Sequence, residues 1–285
     1  MRKTLKCMSM FMLTLVICIP LNAQKVTTTY TPNLAKKILQ FAREKGNLNN
    51  VHPWMQGINK IEINKIATEG AILFSMNPTD AKKYFRTAFT NAANSSKITQ
   101  KEATAFLAVV DGYYDGDDLN TSWSKLKTFK TACTSSTMTA MTSGIETSNS
   151  TPSPRDIAGD IGGLITTGGY LIATGGFGFA FPEAIEKAFE IGKIIGKAVY
   201  DVGNWLVNVF KKDNTKALGK LLGDVAEDVV HAVGNAVIDA VETVGDGFKK
   251  LGKALGSVFK NSKNKKTSSV MIGPDGQGDY HPHPF

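Results

Sequence analysis

The sequence predicts an all-α protein of two helical domains, and three observations carry that expectation. Apolar residues recur at steps of three and four wherever a helix start signal precedes them. With 42% hydrophobic and 20% charged residues over 285 positions, the chain has enough apolar surface for a sizeable core. In the second half, glycines and polar residues keep an 11-residue beat, close to the pitch of a straight helix.

The chain opens on a signal-peptide pattern. Arg2, Lys3 and Lys6 form a positive start, residues 8–19 are apolar, and Pro20 breaks the segment ahead of Leu21, Asn22 and Ala23. Cleavage is expected between Ala23 and Gln24, giving a secreted protein that acts at the envelope of target cells. The apolar run is too short for a spanning helix. Cys18 follows Leu15, Val16 and Ile17 in a faint likeness to a lipoprotein signal, and the bulky Ile17 argues against an anchor there. Once residues 1–23 leave, Cys133 is the only cysteine, so the mature chain has no internal disulfide and no cysteine-based metal site.

Residues 24–132 read as an N-terminal helical domain. Pro32 suits a first helical turn and leads into Leu34, Ile38, Leu39 and Phe41. The run Asn77, Pro78, Thr79, Asp80 starts a helix carrying Ala81, Tyr84, Phe85, Ala88 and Phe89 on one face. Thr99 and Glu102 have capping-box spacing ahead of Ala103, Phe106, Leu107 and Val110. Ser122 and Trp123 open a further helix with Leu126 and Phe129. Residues 133–155 then turn rich in Ser and Thr and end on Pro152, Ser153, Pro154 and Arg155, the pattern of an extended linker and domain boundary. A lone arginine at its end marks the bond between Arg155 and Asp156 as a candidate cleavage site.

Residues 156–260 read as a glycine-rich, membrane-active helical domain. Residues 161–181 carry no charge and match in length a hydrocarbon core. Glycine is a poor helix former in water, at about 1 kcal/mol against alanine, whereas small residues let helices approach closely in lipid. Ile161, Gly163, Leu164, Gly169, Leu171, Ala173, Phe177, Phe181 and, further on, Trp205 are therefore the candidate membrane-inserting residues. From Glu183 to Lys211 the polar positions form one stripe, with Ile185, Phe189, Ile195, Val199, Leu206 and Phe210 off it. A second stripe runs from Lys216 to Lys260. Gly223, Gly234, Gly245 and Gly256 fall 11 apart, as do Gly192 and Gly203. Such a period keeps one apolar face aligned without supercoiling and suits a helix lying on a bilayer. Residues 261–285 read as a disordered tail.

Little in the chain is catalytic, and no cofactor is expected. His52, His231, His281 and His283 sit in no nucleophile or zinc motif. Asp228 and His231 share a helix face and are best read as part of a solvated polar stripe. Asp115, Asp117 and Asp118 resemble a calcium loop with its glycine and distal glutamate misplaced, which favours a turn between helices. The formal charge of +8 is carried mostly by lysine, with arginine only at 2, 43, 86 and 155, a poor basis for reading nucleic acid. Residues 156–285 are near neutral, 14 lysines against 15 carboxylates, which excludes a plain cationic lytic segment. The charge is segregated into an acidic block at 224–246 and a basic block at 249–266, which could pair in a soluble form and part at an anionic bilayer.

An apolar stretch beside amphipathic helices resembles the pore-forming domains of colicin-type bacteriocins. The whole arrangement of an exported helical part, a linker ending on Arg155 and a glycine-rich part is similar to secreted antibacterial toxins of gut Bacteroidales. That resemblance implies activation by an arginine-specific, clostripain-like protease acting after Arg155. It also implies insertion of the C-terminal part into bacterial membrane lipids, an unidentified surface receptor, and self-association or non-covalent pairing of the two fragments. The competing expectation is a secreted structural protein that coats lipid or membrane surfaces through its 11-residue repeats. An exported hydrolase is the third, and no nucleophile or metal set supports it.

Overall fold

The computed structural model describes residues 26–51, 59–145, 152–178, 182–211 and 268–272. Eight helices dominate them, so the helical class expected from the sequence holds for the described residues. The exception is a two-stranded antiparallel ribbon, β1 (Val26–Tyr30) with β2 (Ser268–Ile272), in which Val26 lies opposite Ile272 and Tyr30 opposite Ser268. Residues 268–272, which the sequence placed in a structureless tail, thus form a strand on the first described residues. An isolated bridge from Tyr30 to Met76, and a hydrogen bond from the Thr31 amide to the Ser75 carbonyl (2.9 Å), tie the ribbon to the helices.

The first five helices form where their end signals dictate. Helix α1 (Pro32–Glu44) starts on Pro32 and buries Leu34, Ile38 and Phe41. Helix α2 (Lys60–Phe74) opens on a capping box of Asn59 and Glu62. Helix α3 (Pro78–Asn94) is capped by the Asn77 side chain, which accepts from the Thr79 amide at 2.9 Å. The Thr99 and Glu102 box opens α4 (Gln100–Asp115), which stops at Gly116 with φ 79°, a backbone conformation natural to glycine. Asp118 caps α5 (Leu119–Ala132), three residues ahead of the expected start at Ser122.

Residues 133–155 depart from the expected extended linker. Helix α6 (Ser136–Thr142) occupies the middle of that segment and buries Met138 and Met141. Its entry is fixed by Glu102, which is wholly buried. One carboxylate oxygen of Glu102 accepts from the amides of Thr134 and Ser135, both at 2.7 Å, and the other accepts from the Thr99 amide at 2.7 Å. Burial by itself would raise the pKa of this carboxyl, but the Thr99, Ser135 and Thr134 amides outweigh it and bring it down to about 2. One side chain therefore caps α4 and anchors α6. The exit of α6 is held by the Lys130 ammonium on the Ile145 carbonyl and by Lys193 on the Gly144 carbonyl at 3.0 Å.

Helix α7 (Pro154–Thr174) and helix α8 (Pro182–Lys211) follow as an antiparallel hairpin. Helix α7 is the centre of the fold, because α2, α3, α4, α5, α6 and α8 all pack on it. Every residue from 157 to 169 is buried. Among the described residues, one hydrophobic core cluster draws on both halves of the chain, from Tyr30 to Val202. A helix without a polar face must be enclosed on all sides, and six amphipathic helices supply the enclosure.

Candidate functional site: a glycine-seamed helical hairpin

The seam of the hairpin is built by glycines on both helices. A Cβ on Gly162 would stand 2.5 Å from both the Gly192 carbonyl oxygen and the Gly196 amide nitrogen. A Cβ on Gly196 would in turn stand 2.8 Å from the Gly162 Cα. The helices therefore touch backbone to backbone, and only glycine permits this. On either side of that contact, Lys197 lays its aliphatic stem over Gly159, and the Phe189 ring covers Gly163. Facing away from α8, Gly168 receives the Phe106 ring and Gly169 the Leu73 side chain. The glycines that looked costly in a water-soluble helix are each matched to a neighbour.

Charges close the open end of the hairpin in mirrored order. Arg155 donates to Asp201 through Nε (3.1 Å) and Nη2 (2.9 Å). Lys197 pairs with Asp156 at 2.7 Å, and Lys193 pairs with the buried Asp160 at 3.3 Å. Three acids meet three bases, so this end carries no net charge. Farther along α7, Thr166 and Thr167 bury hydroxyls that have no hydrogen-bond partner among the described residues, each at a cost of about 1–3 kcal/mol.

The candidate inserting residues are brought together, but inside the protein. Ile161, Leu164 and Leu171 are core residues, and Ala173 is buried. Phe177 packs edge-on against Phe89, with ring centres 4.8 Å apart. Trp205 lies on α8 against Phe41 (6.5 Å), with the Lys37 ammonium 4.6 Å from its ring. Phe181, the side chains of Leu206 and Phe210 on α8, the signal cut at Ala23 and Gln24, and the stripe beyond Lys211 lie outside what the structure describes. The uncharged run is not one continuous span. Helix α7 ends at Thr174, Gly175 adopts φ 64°, and a 3₁₀ turn (Gly176–Gly178) follows. No helix among the described residues is long and apolar enough to cross a membrane.

Arg155 and Asp156 lie in the first turn of α7. Ser153 caps this turn, accepting from the Asp156 amide at 3.2 Å, and Pro154 fills the first helical position. Of the other arginines among the described residues, Arg43 sits at the end of α1 and Arg86 in the middle of α3, paired with Asp111 at 2.7 Å. Arg43 and Arg155 thus both stand in a terminal helical turn, whereas Arg86 stands mid-helix.

The three aspartates with a likeness to a calcium loop are committed elsewhere. Asp115 pairs with Lys82 at 2.5 Å, Asp117 pairs with Lys125 at 2.6 Å, and Asp118 caps α5. Among the described residues no group of three metal-ligating side chains comes together. The Cys133 thiol donates to the Phe129 carbonyl, and burial, with Glu102 nearby, pushes its pKa up to about 12. Such a thiol is inert.

Sequence reasoning missed the seam itself. The signal was present: Gly159 and Gly162 in one helix, and Gly192 and Gly196 in the next, stand three and four apart on single faces. It missed the ion pairs too, although Asp156 and Asp160 mirror Lys193 and Lys197 at the same spacing. No family model, curated protein or solved structure matches the chain.

Proposed function

We propose that this chain is a secreted antibacterial toxin precursor. Its α7–α8 hairpin is stored with α7 enclosed and α8 partly exposed against a shell of the other helices, and it permeabilises the membranes of target bacteria after a cut behind Arg155. The observation that carries the reading is the position of α7. A glycine-rich helix is joined to α8 by a backbone-to-backbone contact of Gly162 with Gly192 and Gly196, and its other faces are covered by helices that have polar outer surfaces of their own. The unpartnered hydroxyls of Thr166 and Thr167 support it further, since a core selected for stability alone would place apolar groups there. Helix α7 does not cross a bilayer by itself. The pair enters together, which keeps Asp160 against Lys193 and Asp156 against Lys197 and avoids isolated charges in lipid. The near-neutral charge of residues 156–285 fits regulated entry better than unspecific lysis. Bacterial membrane lipids, an arginine-specific protease and a surface receptor are the partners this role requires.

The test compares dye release from anionic liposomes by intact and by arginine-cleaved protein, with an Arg155→Ala chain as the uncut control. Release confined to the cleaved wild-type chain is expected. Coating of the vesicles without release would refute the toxin reading and favour the lipid-coating one. Undiminished killing of sensitive cells by unprocessed Arg155→Ala would refute activation at Arg155.

A further inference from the structure

We propose that a chain cut just ahead of α7 or in its first turn stays together as a two-piece complex, so that proteolysis arms the protein without releasing its hairpin. This rests on the proposed cut behind Arg155 and concerns what that cut leaves behind. The occupant of the shell is named by the structure: residues 156–211 and 268–272, docked on residues 26–145.

Three independent sets of contacts cross from one piece to the other, and none runs through the severed bond. The first is apolar. Leu73, Phe85, Phe89 and Phe106 of the N-terminal piece close on Gly168, Gly169 and Phe177 of the other, within one continuous core. Separation would expose every face of α7 except the one seamed to α8, which is the behaviour of an obligate interface rather than a transient one. The second is polar. Lys193 of the C-terminal piece holds the Gly144 carbonyl of the other at 3.0 Å. The third is the ribbon, which takes β1 from one piece and β2 from the other. It is moored to α2 through Tyr30 with Met76 and Thr31 with Ser75. The amphipathic repeat at 216–260 is thus bracketed in the chain by two attachments to the shell, one at α8 and one at β2.

It follows that the cut removes a covalent constraint only. A second event, contact with a lipid surface that competes for the apolar faces, must separate the pieces.

The experiment uses the full mature chain with a site-specific endoprotease sequence inserted between residues 146 and 151. The cleaved protein is passed through size exclusion in detergent-free buffer, before and after incubation with anionic phospholipid vesicles, and dye release is read on the same samples. Both pieces are expected to co-elute at the volume of the uncut chain without lipid, and to part only after vesicles are added. Separate elution in buffer overturns the proposal, whatever the vesicles do. Co-elution that persists after the vesicles have leaked also overturns it, because the hairpin would then act without leaving its shell. Co-elution with no leakage and no separation leaves the complex established, overturns lipid-driven release, and counts against the toxin reading separately.

Discussion

Substituting Gly196 by alanine tests the seam most directly. The added Cβ would stand 2.8 Å from the Gly162 Cα and press on the Ala158 carbonyl. Carbon atoms in ordinary contact are about 3.5–4.0 Å apart, so the helices must part by roughly 1 Å. Both obstacles are backbone, and no side chain can swing away to make room. Parting loosens the whole row, including Phe189 over Gly163 and Lys197 over Gly159. Overpacking of this kind costs about 1–3 kcal/mol, and a rigid obstacle places it near the upper end. Alanine recovers about 1 kcal/mol of helix propensity. The expected net loss is about 2 kcal/mol, which in a protein of this size lowers Tm by roughly 4–8 °C. Denaturant unfolding followed by circular dichroism measures it, with Gly169→Ala as the comparison. At Gly169 the new Cβ meets only the end of the flexible Leu73 side chain, and a change within about 1 kcal/mol is expected. A Gly196→Ala protein as stable as the parent, or equal losses at the two sites, would refute the close-packed seam.

Two further predictions concern pH. Glu102→Gln removes a buried charge that accepts backbone amide hydrogen bonds from both α4 and the start of α6, at about 2–3 kcal/mol near pH 7. Because the folded-state pKa lies near 2, below the ordinary 4.5, this stabilisation is full above pH 4.5 and fades as the pH falls towards 2. The gap between variant and parent in urea midpoint should therefore fall to under half at pH 3. Glu69, on α2 beside Gly70 and near Tyr84 and Tyr170, behaves in the opposite sense. Burial pushes its pKa up to about 7, against the pull of Lys65, so its ionisation weakens the fold as the pH rises from 4.5 to 7. Glu69→Gln should stabilise the protein by about 1–3 kcal/mol at pH 8 and leave it unchanged at pH 4, read as urea midpoints. Equal effects at both values would refute the ionisation argument.

The helices with strong end signals were legible in the sequence: Pro32, Asn77, and the pair Thr99 and Glu102 mark starts found in the structure. The stripe of α8 was legible as well, with Ile185, Phe189, Ile195 and Val199 buried and Glu183 and Glu186 exposed. Helix α2 is easily overlooked although Asn59 and Glu62 form a capping box, because the short apolar run behind it has little polar contrast. Helix α6 is hidden for another reason. Its seven residues are Ser, Thr, Met and Ala, and what fixes it is a carboxylate 32 residues upstream of Thr134. For α7, periodicity carries no information about surroundings, since a helix enclosed by protein and one enclosed by lipid have the same composition. Only the matching glycines of α8 separate the two cases, and they become meaningful once the two helices are known to pair.

The central place of α7 also sets the order in which the molecule can come together. A chain that emerges N-terminus first presents α1 to α6 about 60 residues before both arms of the hairpin are available, and until then six helices have their inward faces unmatched. During that interval the first half of the chain is a client for holding chaperones. Its structure is completed from the C-terminal side, and a truncated product ending before residue 154 should be degraded or aggregate instead of surviving as a stable domain.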